Sequence, residues 1–271
     1  MPIKLIAIDI DGTLLTPERV ISKRVKETLL KAKEAGIKIV LSTGRPLPGV
    51  TDYLTELDLR NDGDYAITYN GALVQDTHTG EVISHHTLDI DDFYRVEEMS
   101  RKVGVHYHTT TQDAMYTSNK DISAYTVREA MLVQMPLKYR SVEEMDKQIS
   151  ISKMMMIDEP AVLDEGIKQL SKDFVDRYTV LRSEPFYLEI LHPSASKGQA
   201  LKSLIDILGF TQDEVMAIGD NENDLDMIEF AGIGIAMGNA VPKVKENATY
   251  VTDTNANDGV ATVIEKFALM P

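Results

Sequence analysis

The sequence predicts an α/β protein: a doubly wound parallel-sheet (Rossmann-like) core with an α+β cap domain inserted into it. Three observations carry that reading. At both ends of the chain, short apolar runs rich in β-branched residues alternate with amphipathic stretches of helical period. The apolar runs hardly alternate in polarity, as expected of parallel strands buried on both faces. Between the two ends, strands come in neighbouring pairs with occasional helices, the pattern of a separate α+β module. The expected organisation is residues 1–84 and 192–271 as one core, with 85–191 as the insert.

The first strand, Lys4–Ile8, runs into Asp9-Ile10-Asp11-Gly12-Thr13. Ser22 is a plausible N-cap for a helix over Lys23–Ala35, with Val25, Leu29 and Ala32 on one face and Gly36 as its stop. Ile37–Leu41 reads as a second buried strand ending in Ser42-Thr43-Gly44-Arg45, then a helix over Val50–Leu57 and a strand over Tyr65–Tyr69 ending in Asn70-Gly71. In the insert the expected elements are strand 81–86, helix 91–102, strands 105–109 and 114–118, and a helix near 122–132. They continue with strand 153–157, a single helix over 161–174, and strands 178–181 and 186–191. The first style then returns: helix 197–208 stopped by Gly209, strand 215–218 ending in Gly219-Asp220, helix 225–231, strand 233–237, a helical turn 241–246, strand 250–252 and a closing helix 259–267.

Composition narrows the partners. With 28 basic and 43 acidic residues the formal net charge is −15, a poor field for nucleic acid or an anionic membrane surface. A small anionic substrate stays compatible, because a bound cation and a few placed cations invert the local potential. There is no cysteine, so disulfides, thiolate metal sites and cysteine nucleophiles drop out. The first apolar run is too short for a signal segment and no long apolar segment follows, which reads as a cytoplasmic chain. The oligomeric state is left as monomer or homo-oligomer.

Side chains at i and i+2 of a strand point the same way, so Asp9 and Asp11 are expected to project together where the first strand ends. Two such carboxylates repel unless a cation or a proton intervenes, and Mg²⁺ favours carboxylate, phosphate and water oxygens. Asp11-Gly12 by itself reads equally well as a turn. Three further pieces share the same context, the end of a buried strand or the start of a helix: Thr43-Gly44-Arg45, Lys197-Gly198, and Gly219-Asp220-Asn221-Glu222-Asn223-Asp224. Asp9, Asp11 and Asp220 can converge on a hard cation. Thr43, a backbone N–H freed by Gly44, and Lys197 at a helix start suit phosphate oxygens. Taken one at a time, the Ser-Thr-Gly and Gly-Asp pieces read as turns and Lys197 as a solvated lysine. Glu97-Glu98 and Glu143-Glu144 read as solvated helix faces, and Met154-Met155-Met156 as core filling. His85-His86 and the His106/His108 pair could ligate metal, but alternation on a strand reads more simply as one exposed face.

In order and context, the four pieces resemble the motifs of the haloacid dehalogenase-like hydrolase superfamily, and Asn70-Gly71-Ala72 with Ser196-Lys197-Gly198 is similar to its Cof-type branch. The resemblance runs the whole length of the chain. It implies a phosphatase of small phosphomonoesters, sugar phosphates above all, working through an aspartyl-phosphate. Asp9 would be the nucleophile and Asp11 the general acid/base. Mg²⁺ would be held by the Asp9 carboxylate, the Asp11 backbone carbonyl and Asp220, with Asp224 in support. Thr43, Gly44, Lys197, the Ile10 N–H and Asn223 would hold phosphate oxygens, and Arg45 and Asn70 are candidate substrate contacts. The insert would act as a cap that excludes water and selects the leaving group. Two other readings keep the same core: a phosphotransferase or mutase that passes the phosphate to a sugar hydroxyl, and a module that binds a phosphorylated metabolite without turning it over.

Overall fold

The computed structural model describes residues 2–269. Strands along the chain are β1 (Leu5–Ile8), β2 (Lys38–Ser42), β3 (Tyr65–Thr68), β4 (Leu73–Asp76), β5 (Val82–His85), β6 (His106–Thr110) and β7 (Met115–Thr117). They continue as β8 (Leu137–Tyr139), β9 (Lys153–Ile157), β10 (Thr179–Glu184), β11 (Tyr187–Leu191), β12 (Val215–Gly219), β13 (Ile233–Ala236) and β14 (Tyr250–Val251). The α-helices are α1 (Lys23–Glu34), α2 (Thr51–Glu56), α3 (Ile90–Val103), α4 (Ala124–Leu132) and α5 (Pro160–Ile167). Then come α6 (Lys172–Arg177), α7 (Lys197–Leu208), α8 (Leu225–Phe230), α9 (Pro242–Asn247) and α10 (Gly259–Phe267).

The chain divides into two compact units, Met1–Ser84 with Ser196–Pro271, and His85–Ala195. The first is built on an eight-stranded sheet in the order β14-β13-β12-β1-β2-β3-β4-β5. Its strands from β14 to β3 run parallel, and β4 turns back antiparallel on β3. Leu5–Ile8 is fully buried because β1 lies in the middle, paired on one side with Val215–Ile218 and on the other with Lys38–Leu41. The chain leaves β1 toward β2 on one side and returns to β12 on the other. That reversal opens a crevice at the carboxyl ends of β1, β2 and β12, where open α/β sheets take their ligands.

The second unit has a six-stranded sheet in the order β10-β11-β9-β6-β7-β8, antiparallel except for the β7–β8 pair. Alternation splits its central strands cleanly. Tyr107, Met154, Met156, Leu188 and Ile190 join Phe93 and Val96 of α3 and Leu163 of α5 in an apolar core. The residues of opposite parity include His108, Lys153, Met155 and Glu189, all buried. All three methionines of Met154–Met156 are buried, as a core strand requires.

Four expectations need correction. The single helix over 161–174 is two, because Ser171 takes an extended backbone conformation (φ −71°, ψ 152°) and caps α6 through its side chain, accepting from Phe174 N–H. Strands β4 and β8 were not expected; both are short and sit beside turn residues that hide the alternation. Glu97 is not solvated but 4% exposed, accepting from Ser118 Oγ and paired with Arg101. His108 lies on no exposed face: it is fully buried, and neither ring nitrogen has a hydrogen-bond partner among the described residues.

Candidate active site

Asp9 follows β1 directly, and its N–H donates to Ile218 O of β12 at 3.0 Å, which seats it between the ends of two strands. From there the chain enters a single wide turn, with Leu14 N–H on Asp9 O and Leu15 N–H on Ile10 O. Gly12 makes the turn possible. Its φ is +87°, and a Cβ there would strike the Asp220 carboxylate. Strand alternation therefore ends at Ile8, and the two motif aspartates go to different partners. Asp9 is buried, whereas the side chain of Asp11 is 45% exposed.

The buried group centres on Lys197, the first residue of α7. Its ammonium donates to Asp9 Oδ1 and to Asp224 Oδ1, each at 2.6 Å, and is fully buried. Asp224 uses its other oxygen to accept from the N–H groups of Asp220 (2.9 Å) and Asn221 (3.1 Å), closing the loop after β12 around itself. Asp220 accepts from Thr13 Oγ1 at 2.9 Å. Among the described residues, Asp9, Asp220 and Asp224 are the acidic group whose carboxylate oxygens lie within 4.8 Å of one another.

Three carboxylates around one ammonium leave negative charge uncompensated. Burial pushes the Asp9 carboxyl well above its ordinary range, with the neighbouring Asp224 adding to the push and Lys197 opposing it. Asp220 is pushed up to about 7, again by burial first and Asp224 second. Burial works against the charge on Lys197, but Asp224 and Asp9 outweigh it and raise its pKa. A hard divalent cation fits this donor set: all-oxygen ligands, crowded, and short of positive charge.

The anion side of the crevice comes from β2 and the segment after β3. Thr43 N–H donates to Ile67 O at 2.9 Å, and Thr43 Oγ1 accepts from Arg45 N–H at 3.1 Å, which pins the Thr43-Gly44-Arg45 turn. Arg45 holds Asp11 with two bonds, Nε to Oδ2 at 2.8 Å and Nη2 to Oδ1 at 2.5 Å, and its guanidinium lies 5.6 Å from the Tyr53 ring centre. Burial lowers the Arg45 pKa, but the bonds and charge of Asp11 outweigh it and leave it raised. Arg19 reaches the same carboxylate at 3.3 Å. Asn223 Nδ2 donates to Asn70 Oδ1 at 2.9 Å.

The fold thus brings Asp9, Lys197, Asp220 and Asp224 into one cluster and sets Thr43, Gly44, Asn70 and Asn223 beside one another. The Asp11 carboxylate stands outside the acidic triad, on Arg45. Sequence reasoning missed Thr13, whose hydroxyl orients Asp220, and Arg19. Thr13 was visible as the last residue of the first motif. No pattern marked Arg19, which reaches Asp11 from a turn where its own φ is +62°.

The fold and this cluster define a class. Residues 6–264 match the family model described as haloacid dehalogenase-like hydrolase, and the chain belongs to that family. The relative YxeH of Bacillus subtilis, which bears the name "Putative phosphatase", is 48% identical over 266 residues, covering 98% of each chain. A solved haloacid dehalogenase-like hydrolase from Bacteroides thetaiotaomicron superposes with a TM-score of 0.86 at 34% identity, over 97% of this chain and 99% of that one. The HAD subclass IIB sugar phosphatase BT4131 superposes with a TM-score of 0.82 at 26% identity, over 98% and 100%. Phosphatase chemistry is the activity these matches support. No described helix is long and apolar enough to cross a membrane.

Proposed function

We propose that the chain is a Mg²⁺-dependent phosphatase of small phosphomonoesters, sugar phosphates in particular, acting through an aspartyl-phosphate on Asp9. The observation that carries the reading is the convergence of the Asp9, Asp220 and Asp224 carboxylates on one another at the carboxyl ends of β1 and β12, with Lys197 bonded to Asp9 and Asp224. The kinship to a protein described as a sugar phosphatase supports the substrate class.

In this reading a carboxylate oxygen of Asp9 attacks phosphorus while the bond from phosphorus to the ester oxygen breaks. Asp11 gives its proton to that departing oxygen. In the second half, Asp11 takes a proton from water as the water oxygen attacks the aspartyl-phosphate, releasing inorganic phosphate and restoring Asp9. Arg45 holds the ionised form of Asp11 with two bonds, so it has to release that carboxylate before Asp11 takes up from solvent the proton it gives. Thr43, the Gly44 and Ile10 N–H groups, Lys197 and Asn223 hold the three peripheral phosphate oxygens. Asp9, the Asp11 carbonyl and Asp220 would hold Mg²⁺, with Asp224 in support. When bound, the ion supplies the positive charge that the acidic cluster and the phosphoryl group both lack. The unit His85–Ala195 is assigned the selection of the leaving group.

The test is hydrolysis of p-nitrophenyl phosphate and of a panel of sugar phosphates, followed as released phosphate. EDTA should abolish turnover and Mg²⁺ restore it. Undiminished activity after exhaustive metal removal contradicts the metal assignment, and accumulation of an isomerised sugar phosphate in place of free phosphate selects the mutase reading.

A further inference from the structure

The segment after β3 holds an unusual run of backbone. Tyr69, Asn70 and Gly71 are consecutive and all lie at positive φ, at 50°, 53° and 90°. Glycine enters that region freely and asparagine tolerates it, but tyrosine adopts it rarely. Such strain persists only where the surroundings impose it, and it gathers at functional sites. Here the surroundings are the phosphate side of the crevice. Asn70 N–H donates to Thr43 O at 2.9 Å and Tyr69 N–H to Arg45 O at 3.2 Å, so the strained run is clipped to the residues on both sides of Gly44. The Asn70 side chain, 2% exposed, lies so close that a Cβ on Gly44 would come within 2.9 Å of its amide nitrogen. Its amide oxygen accepts from Asn223 Nδ2, 153 residues away in sequence. Gly71, in turn, packs its α-carbon against the Ser196 carbonyl, one residue before Lys197.

The pair Asn70-Gly71 thus touches three separate parts of the candidate clamp: Asn70 the turn after β2 and the loop after β12, and Gly71 the start of α7. Accordingly, we propose that Asn70 is a positioning residue of the phosphate clamp rather than a substrate contact, its backbone holding the Gly44 turn and its side chain acting through Asn223. This rests on the phosphatase reading above. The Asn223 amide nitrogen carries two hydrogens. Asn70 takes one and so fixes the plane of the amide, which sets the direction of the second toward a phosphoryl oxygen. The left-handed backbone is what brings the Asn70 side chain between Gly44 and Asn223. An extended residue there would lose its bond to Thr43 O.

Asn70→Gly separates the backbone role from the side-chain role, because glycine accepts φ near +53° without strain. Full-length wild type, Asn70→Gly, Asn223→Ala and the double variant are compared in thermal unfolding, in p-nitrophenyl phosphate kinetics and in inhibition by orthovanadate, which mimics the phosphoryl group in transit. The expected result for Asn70→Gly is a cooperative unfolding transition whose midpoint falls modestly, for the buried hydrogen bond it loses, with orthovanadate Ki and kcat/KM both worsened by roughly ten- to a hundredfold. The double variant should be no worse than Asn223→Ala alone, since Asn70 acts through Asn223. Losses that multiply in the double variant would make Asn70 an independent contact and overturn the proposal. Unchanged orthovanadate affinity in a destabilised Asn70→Gly would overturn it in favour of a purely structural role. Wild type that neither hydrolyses the ester nor binds orthovanadate overturns the phosphatase reading itself, a different failure from either of these.

Discussion

Two buried lysines, one in each unit, sit between pairs of carboxylates, and they differ in what surrounds the pair. Lys197 meets Asp9 and Asp224 at 2.6 Å each, at the start of a helix and the ends of two parallel strands. Lys153 lies within β9, 3.4 Å from Glu189 on the neighbouring strand and 3.7 Å from Glu129 on α4. Around Lys197 a third carboxylate, Asp220, joins the group, and burial first, with Asp224 second, holds both Asp9 and Asp220 above the ordinary carboxylate range. Asp220 is only partly buried, and the exposed Asp11 carboxylate lies two residues from Asp9. Charge excess at strand ends is aimed at something that arrives. The Lys153 group lies inside regular secondary structure, where extended strands hold it whether or not a ligand is present. Burial of charge therefore does not by itself mark a site; its place relative to strand ends does.

The comparison breaks most visibly at Lys197. Lys197→Met should lower kcat/KM on p-nitrophenyl phosphate by roughly a hundredfold or more, about 3 kcal/mol by analogy with the loss of one oxyanion donor. It also leaves Asp9 and Asp224 without their ammonium beside Asp220, so added Mg²⁺ should raise its unfolding midpoint more than it raises that of wild type. Equal activity in the variant would return Lys197 to a structural role.

Lys153→Met should do the reverse. Removing one partner of a buried ionic group typically costs about 3–5 kcal/mol of stability. Urea unfolding should report that loss, while kcat on p-nitrophenyl phosphate stays within about threefold for the folded protein. Adding Glu129→Gln and Glu189→Gln to it should recover part of the loss, because the buried negative charge that Lys153 offsets is then gone. A hundredfold fall in kcat for the single variant would erase the distinction between the two lysines.

These lysines also show what could be read in the sequence. Lys197 was legible because its chemistry sits in a short motif, and the same motif order pointed to Asp9, Asp220 and Asp224, which the fold brings together. Parallel strands make that possible: successive strand ends fall on one side of the sheet, so local motifs become neighbours without any long-range pattern. The Lys153 group had no such marker. Its partners lie 24 residues before and 36 residues after it in sequence, and only the β11–β9 pairing and the packing of α4 join them. The direction of Asp11 was also misread, since alternation was carried past Ile8 into a turn that Gly12 reverses. His108 failed for the same reason as Lys153: periodicity assigns it a face of the strand but not what covers that face.

His108 gives an effect that vanishes at neutral pH and grows only as the protein is acidified. Burial, with Lys153 adding to it, holds its pKa at about 3 against an ordinary 6.5, so the folded protein keeps it neutral. Between those values the unfolded chain binds a proton there that the folded chain does not. Stability is therefore intact above pH 6.5 and falls as pH drops through that window, by at most about 1.4 kcal/mol per pH unit for this one group. His108→Leu should flatten the dependence of unfolding free energy on pH between 6 and 4 by close to that slope. An unchanged slope would mean that His108 is protonated in the folded state.

The central claim is that Asp9 becomes covalently phosphorylated, and acid quenching tests it most directly. Wild-type protein with Mg²⁺ is mixed with p-nitrophenyl phosphate, quenched within the first turnover, digested and mapped by mass spectrometry, with Asp9→Asn run in parallel. The account predicts one phosphoryl group, labile to hydroxylamine, on the peptide carrying Asp9, and neither that adduct nor turnover in the variant. A phosphoryl group on another residue, or steady turnover by Asp9→Asn, would contradict it.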